Sequence, residues 1–221
     1  MATKRLNSTR RQKRVLSFEP PTRKGNIKVP MEGWISCARV LLIEEGLAGI
    51  KVDRLARRLK VTRGGFYYHF SSHHKLLQAL LDDWRVNNCF IPKQIDPSSP
   101  QGAIAGFQEM TDNLVHEKGF DPQFDMAVRE WARISQPVAD VVHQVDHDRI
   151  ESLKDIFVGL GYESVEGELR AKLFYWQQIG YYALGIEDPL EYRERNLEYF
   201  HQILGGQKYL EALKKSKAIA A

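Results

Sequence analysis

The sequence predicts an all-α protein built from two parts. Apolar residues recur three and four positions apart along most of the chain after residue 29, which is the period of amphipathic helices. Beyond residue 100, Gly, Pro and Asp separate these stretches, and no apolar alternation is long enough to indicate a β-strand. With 221 residues and 43% hydrophobic side chains, the chain can bury a substantial core.

Charge is distributed unevenly along the chain. Residues 1–28 carry a net charge of +8, residues 29–90 carry +3 and residues 91–221 carry −7. A basic front end on an acidic body indicates a polyanionic partner for the front, and nucleic acid is favoured over an anionic membrane surface. The two cysteines, Cys37 and Cys89, suit neither a disulfide framework nor a zinc knuckle, so we expect inert, buried thiols.

Nothing in the sequence indicates a membrane segment. No apolar run approaches the ~18 residues that a membrane span needs, and no apolar segment follows the basic N-terminus as in a signal peptide. We therefore expect a cytoplasmic protein with no membrane partner.

The front of the chain predicts three compact helices and a longer fourth. The first stops at Gly46, and the second covers residues 52–59 with its charged side chains facing outward. Thr62 suits the N-cap of the third helix, and Ser71 or Ser72 suits that of the fourth.

The rest of the chain predicts further helices, with Gly205 as their final stop. The expected segments are 100–117, 122–135, 137–159, 164–184 and 188–204. The expected division of the chain is a flexible basic arm at 1–28, a three-helix domain at 29–90, a helical domain at 91–208 and a tail at 209–221.

The stretch VTRGGFYYHF, residues 61–70, places Gly64 and Gly65 inside helical sequence. Each glycine in a helix costs roughly 1 kcal/mol relative to alanine. A short helix, a tight turn and this third helix have the layout of a helix-turn-helix, in which glycines let the backbone approach phosphates or base edges closely. The alternative is a loop that precedes an aromatic core segment.

The run GLAGIKVDRLARRLKVTRGGFYYHFSSHHKLLQALL, residues 46–81, resembles the DNA-binding signature of the tetracycline-repressor (TetR) family of bacterial transcription regulators. The resemblance is specific over about residues 30–85. It implies a three-helix DNA-binding domain, a helical ligand-binding and dimerisation domain, and a homodimer on a palindromic operator. Most members of the family are repressors that a small ligand releases, although the sequence does not separate a repressor from an activator.

The resemblance also implies roles for individual residues. Thr62 would cap the reading helix and touch phosphate, and Arg63 would face bases together with the two glycines. Tyr67 and His69 match positions that contact the DNA backbone. The full set of expected DNA-binding residues is Lys51, Arg54, Thr62, Arg63, Gly64, Gly65, Tyr67, Tyr68, His69, His73 and Lys75.

Three residues depart from the family pattern. Lys51 stands where Ser or Thr commonly caps the second helix, and Lys60 replaces a frequent turn glycine. His73 stands where relatives usually have a lysine that anchors a phosphate, so either His73 or Lys75 would take that role. The basic arm resembles arms that reach into the minor groove, and the alternative is a solubilising tail.

The second domain is expected to enclose a cavity for an apolar or aromatic effector, as the resemblance implies. Tyrosine hydroxyls would orient that ligand. Aromatic and methionine side chains at helical spacing are more often core residues, and this alternative stays open for each of them. The expected lining residues are Phe107, Met110, Trp131, Tyr175 and Trp176.

His143 and His147 lie one helical turn apart near Asp140 and Asp146, a spacing that suits a metal site. The pattern is common, so a solvated helix face is favoured, and we expect neither a metal nor a cofactor. In the family the last two helices form a four-helix dimer interface, where Gly180 would permit close packing. The alternative for those helices is a seam within one protomer.

Two other functions remain to be weighed. A helical enzyme is disfavoured because the chain has no Gly-Xaa-Ser-Xaa-Gly elbow, phosphate loop or His-Glu-Xaa-Xaa-His pair. A nonspecific architectural DNA-binding protein explains the basic arm, but it needs no reading helix on an acidic helical body. A ligand-responsive regulator of transcription accounts for both halves of the chain.

Overall fold

The computed structural model describes residues 29–94 and 96–220, and these residues contain helices and no strands, which confirms the all-α fold. The basic arm at 1–28 lies outside the described residues. The helices are α1 (Met31–Glu45), α2 (Val52–Leu59), α3 (Arg63–His69), α4 (His73–Asn87), α5 (Pro100–His116), α6 (Pro122–Ala132), α7 (Gln136–Gly159), α8 (Ser164–Ala183), α9 (Leu190–Arg195) and α10 (Leu197–Ala220).

The end of the chain differs from the prediction. The segment expected at 188–204 is divided into α9 and α10, and α10 continues past Gly205 through the residues expected to form a tail. Gly206 has φ 68° and ψ −165°, which is not helical, so α10 is broken by a kink one residue after the predicted stop at Gly205, and a second helical segment follows. Beyond the kink, Tyr209 is buried against Phe107, so tertiary packing draws this segment onto the body.

The buried core of the front helices extends into the second half of the chain. Trp34, Phe66 and Trp84 form one apolar cluster with Phe124 of α6 and Val142 of α7. A second cluster lies among α5, α8, α10 and the later part of α7. The three-helix unit is therefore packed against α6 and α7 through a shared core, although the two segments are far apart in sequence.

A buried polar cluster joins α4 to the helices of the body. Asp125 is fully buried and accepts hydrogen bonds from Trp84 Nε1 at 2.9 Å, Arg129 Nε at 2.8 Å and Arg149 Nη1 at 3.2 Å. Arg149 also donates to the backbone carbonyl of Asn88, just after α4. A buried charge is tolerated only when it is paired, so the hydrogen bonds of this cluster fix the position of α4 against the helices of the body.

None of the described helices is both long and apolar enough to cross a membrane.

Candidate functional site

Helices α2 and α3 are joined by a tight turn at Lys60. Lys60 has φ 57° and ψ 38°, a left-handed conformation that glycine adopts more easily. The backbone N–H of Val61 donates to the carbonyl of Ala56 at 2.9 Å and closes the turn. The structure therefore keeps the turn geometry despite the absent glycine, at the cost of a strained lysine backbone.

One aromatic ring anchors α3 to the domain. Phe66 is fully buried, and its ring centroid lies 5.5 Å from that of Trp34 and 5.4 Å from that of Phe70. The opposite face is open: Tyr67 is 60% exposed and Tyr68 is 73% exposed. The aromatic cluster of the sequence is thus divided between an inner anchor and two outward-facing rings.

Neither the backbone nor the packing of α3 requires glycine at positions 64 and 65. Both glycines lie in an ordinary right-handed helix, without positive φ. A Cβ at Gly64 would lie 3.6 Å from Thr62 Oγ1, and one at Gly65 would lie 3.5 Å from Trp34 Cζ2, which are ordinary contact distances. Gly64 therefore leaves space on the exposed side of the helix, whereas the Cβ direction of Gly65 is towards the buried Trp34.

Thr62 occupies the predicted N-cap position of α3, but its side chain makes no capping hydrogen bond. The expectation that its hydroxyl caps the helix is therefore wrong, and Thr62 is exposed. At α4 the capping prediction is confirmed, because Ser72 Oγ accepts a hydrogen bond from the Lys75 backbone N–H at 3.3 Å.

The arginines of this surface are already paired within the domain. Arg63 forms a bidentate ion pair with Asp53 of α2, and Arg54 pairs with Glu45 of α1. The hydrogen bonds from Arg63 lower the pKa of Asp53, so the carboxylate stays charged. Both side chains of the Arg63–Asp53 pair are exposed to solvent. An exposed ion pair exchanges partners at a small cost in free energy.

Two histidines that we expect at DNA phosphates also connect parts of the domain. His69 Nε2 lies 2.8 Å from the carbonyl oxygen of Val29, and His73 Nε2 lies 2.7 Å from that of Ile50. Both imidazoles are half-buried. Each ring therefore ties α3 or α4 to an earlier segment, a contact with no local signal in the sequence.

The remaining residues of the expected set, Lys51 and Lys75, are exposed. Arg57 was absent from that set, yet it is exposed on α2 and its charge helps to lower the pKa of Asp53. Its outward position opposite Leu55 was visible in the helical period of the sequence.

The five side chains expected to line an effector cavity do not line a common one. Phe107 and Met110 are fully buried in the second core cluster, and Trp176 is 58% exposed. Trp131 borders a separate groove between α1 and α6. Tyr175 is engaged in the buried polar cluster, where its hydroxyl donates to Asp146 at 2.6 Å and burial raises its pKa. Helical period identifies buried faces, but not the gaps between them.

A narrow cleft does lie between α5, α8 and the final helices. It holds about 510 Å³ of empty space, including its open mouth. Leu114, Phe174 and Phe200 form much of its apolar wall, and Tyr181 and Arg193 contribute polar groups. None of the five expected residues borders it.

His143 and His147 are both exposed on α7. Asp146 is directed to Arg129 and Tyr175, and the described residues contain no group of three His, Cys, Asp or Glu side chains placed to hold a metal ion.

Large apolar side chains are exposed along α8 and α10. On α8 they recur at successive turns as Val165, Leu169, Leu173 and Trp176. Tyr199 and Ile203 are exposed on α10. A row of exposed apolar side chains such as that on α8 marks a contact site.

A helix-turn-helix with an open reading face, packed on a larger helical body, defines the class of helix-turn-helix DNA-binding proteins. Residues 35–80 match the family described as bacterial regulatory proteins, tetR family. That match covers the helix-turn-helix domain, which is about a fifth of the chain.

One relative resembles part of this chain. The Transposon Tn10 TetC protein of Escherichia coli is 33% identical over 54 residues, which cover 24% of this chain and 27% of TetC. The match therefore spans about a quarter of that relative's length.

Two solved structures resemble most of the fold. A transcriptional regulator from Rhodococcus sp. Rha1 has a TM-score of 0.53 at 20% identity, covering 80% of this chain and 94% of its own. A putative fatty acid metabolism regulator from Clostridium perfringens has a TM-score of 0.53 at 15% identity. The match covers 79% of this chain and 98% of that regulator. At these identities the likeness shows the fold alone.

Proposed function

We propose that this chain is a transcriptional regulator that binds a palindromic DNA operator as a homodimer and is released from it by a small molecule. The observation that carries the proposal is the start of α3, where neither backbone nor packing requires the exposed Gly64 or the half-buried Gly65. Two glycines that lower helix propensity without an internal reason fit a surface that a duplex approaches closely.

The first turn of α3 would enter the major groove, where Arg63 exchanges Asp53 for a base edge. The exposed hydroxyls of Tyr67 and Tyr68 would bind the phosphate backbone. The proposed DNA-binding residues are Lys51, Arg54, Thr62, Arg63, Gly64, Gly65, Tyr67, Tyr68, His69, His73 and Lys75. Within this set, His69 and His73 would act mainly by holding α3 and α4 in place.

The division of the chain follows from these roles. Residues 29–90 would bind DNA and residues 91–208 would bind the effector and a second protomer. The net charge of +8 on residues 1–28 suits additional phosphate contacts, and the whole protein would act in the cytoplasm.

A second copy of the chain is the proposed partner of the exposed apolar face. Leu169, Leu173 and Trp176 of α8 and Ile203 of α10 would be buried against the same residues of the partner protomer. A two-fold arrangement places two copies of α3 in successive major grooves about 34 Å apart, which requires a palindromic site.

The proposed effector site is the cleft between α5, α8 and the final helices. Its walls include the inner faces of α8 and α10, whose outer faces carry the exposed apolar residues. A ligand that separates these helices would alter the dimer and the spacing of the two reading helices, and so weaken operator binding.

The test is selection of DNA fragments from the host genome by the purified full chain, followed by sequencing. We expect a shared palindrome, with two protomers bound to each site. Enrichment of fragments without a shared sequence would contradict the proposal and favour a nonspecific architectural DNA-binding protein.

A further inference from the structure

The basic arm at 1–28 joins the described structure beside the reading helix. Val29, the first described residue, is buried, and its carbonyl oxygen lies 2.8 Å from Nε2 of His69. A carbonyl oxygen only accepts hydrogen bonds, so Nε2 donates in this contact. His69 is the last residue of α3, and the root of the arm, defined as Val29, is therefore held at the C-terminal end of that helix.

The root of the arm lies close to the proposed DNA-binding face. Arg63 and His69 are six positions apart on α3, which corresponds to about 9 Å along the helix axis. Tyr68, the neighbour of His69, is 73% exposed, and its ring centroid lies 4.9 Å from that of the imidazole. Any duplex that α3 contacts therefore lies within about one helix length of the point where the arm begins.

The part of the arm nearest this root is cationic. Arg23 and Lys24 carry charge, Gly25 has no side chain, and residues 20–28 contain no acidic residue. The minor grooves on either side of a major groove that α3 occupies lie about 17 Å away, half of a 34 Å helical turn. Arg23 precedes Val29 by six positions, which gives a maximum reach of about 20 Å at ~3.3 Å per residue. Arg23 and Lys24 can therefore reach a neighbouring minor groove.

Arginine is well suited to that groove. Runs of A·T pairs narrow the minor groove and strengthen its negative potential, which attracts a guanidinium or an ammonium group. The 2-amino group of guanine projects into the minor groove, so G·C pairs present a donor where A·T pairs present only acceptors. A cationic segment that begins beside α3 therefore favours A·T pairs over G·C pairs.

We infer that Arg23 and Lys24 form a second reading element, which enters the minor groove bordering each half-site and selects A·T pairs there. His69 is the positioning residue of this element, because its hydrogen bond to Val29 fixes where the arm begins relative to α3. The inference rests on the proposed function and adds to it a part of the operator that α3 does not contact. A solubilising tail, or an arm that contacts only phosphates, would show no preference between the two kinds of base pair.

The first experiment uses the palindrome recovered by selection as three duplexes that differ only in the pairs bordering each half-site. These border pairs are A·T, G·C or inosine·cytosine, and inosine lacks the 2-amino group but presents the same major-groove edge as guanine. Binding of the full chain is measured by fluorescence anisotropy at one salt concentration. We expect A·T and inosine·cytosine borders to bind at least about five-fold more tightly than G·C borders, the low end of the effect of one altered base pair. An inosine·cytosine duplex that binds no more tightly than the G·C duplex overturns the inference.

The second experiment compares two arginines of the arm. Arg23→Gln should remove most of the preference for A·T over G·C borders. Arg14→Gln is the matched control, because it removes the same charge at a position 15 residues before Val29. This control should weaken binding to both duplexes by the same factor and keep the preference. Equal border preferences in the two variants would refute the role of Arg23.

The third experiment tests the anchor of the arm. His69→Ala removes the donor to Val29, whereas His69→Gln retains an N–H donor on a side chain of similar length. The alanine variant should lose most of the border preference and still select the bases of each half-site, and the glutamine variant should keep both preferences. If the alanine variant loses both preferences, His69 supports α3 as a whole; if it keeps the border preference, the arm needs no anchor. Either result contradicts the positioning role.

Two results separate this inference from the proposed function. A chain that binds its palindrome with the same affinity whatever the border pairs refutes this inference alone. A chain that selects no shared palindrome refutes the proposed function, and this inference with it.

Discussion

Replacing Gly64 and Gly65 by alanine should make the protein more stable and a poorer DNA binder. An added Cβ at Gly65 would meet Trp34 Cζ2 at 3.5 Å, and one at Gly64 would meet Thr62 Oγ1 at 3.6 Å. Neither distance requires a neighbour to move. Alanine therefore gains its full advantage in helix propensity, about 0.5 to 1 kcal/mol at each position.

The double variant should gain about 1 to 2 kcal/mol in the free energy of unfolding. In a chain of this size, each kcal/mol raises Tm by roughly 2 to 4 °C, so the increase should be measurable by circular dichroism. The methyl group at position 64, on the exposed side of α3, would hold the backbone away from the duplex. We expect operator affinity, measured by fluorescence anisotropy, to fall by at least about ten-fold, or 1.4 kcal/mol.

Gly159→Ala provides the matched control for the steric argument. A Cβ at Gly159 would lie 2.1 Å from the Pro97 carbonyl oxygen, so this variant should lose stability. Two results would refute the reasoning about Gly64 and Gly65. A lower Tm would mean that the fold needs these glycines, and a higher Tm with unchanged operator affinity would mean that DNA does not approach them closely.

Four further substitutions test separate parts of the proposal. Tyr67→Phe should weaken binding to every DNA sequence by a similar factor in anisotropy titrations, whereas Tyr199→Phe, the loss of an equally exposed hydroxyl on α10, should not; equal effects would remove Tyr67 from the DNA contacts. Arg63→Ala should relax preference at one base pair by about 1 to 3 kcal/mol in a selection experiment, and an unaltered preference would limit Arg63 to phosphate contact. Leu173→Glu should yield folded monomers in analytical ultracentrifugation, because it places a charge in the proposed dimer interface; an unchanged dimer would locate the interface elsewhere. Asp125→Asn should lower the free energy of unfolding in urea by about 3 to 5 kcal/mol, because it leaves Arg149 buried without its carboxylate, and a loss below about 1 kcal/mol would contradict the role given to this cluster.

The local elements of the fold were predictable from the sequence because their signals lie within one or two helical turns. The spacing of Val52, Leu55 and Leu59 predicts α2, and Ser72 with the apolar stripe after it predicts the start of α4. The layout of a reading helix after a short turn follows from the same patterns. These predictions are confirmed because propensity and periodicity act between neighbouring residues.

Contacts between distant residues were not predictable in the same way. The sequence gives no local signal that His69 and His73 form hydrogen bonds with backbone carbonyls 40 and 23 residues away. The effector cavity was expected at five aromatic and methionine positions, but the observed cleft depends on how three helices fail to fill the space between them. The spacing of apolar residues specifies which face of a helix is buried. It does not specify how completely the space between neighbouring helices is filled.

By itself, the sequence determined the helical class, the helix-turn-helix and the two unexplained glycines, because each depends on short-range periodicity and backbone preference. Tertiary structure alone decided that Gly64 faces solvent, whereas the Cβ direction of Gly65 is towards Trp34. It also decided that Asp125 holds α4 to the body. These features arise only when segments far apart in the chain pack together, since burial and hydrogen-bond satisfaction are properties of the assembled structure.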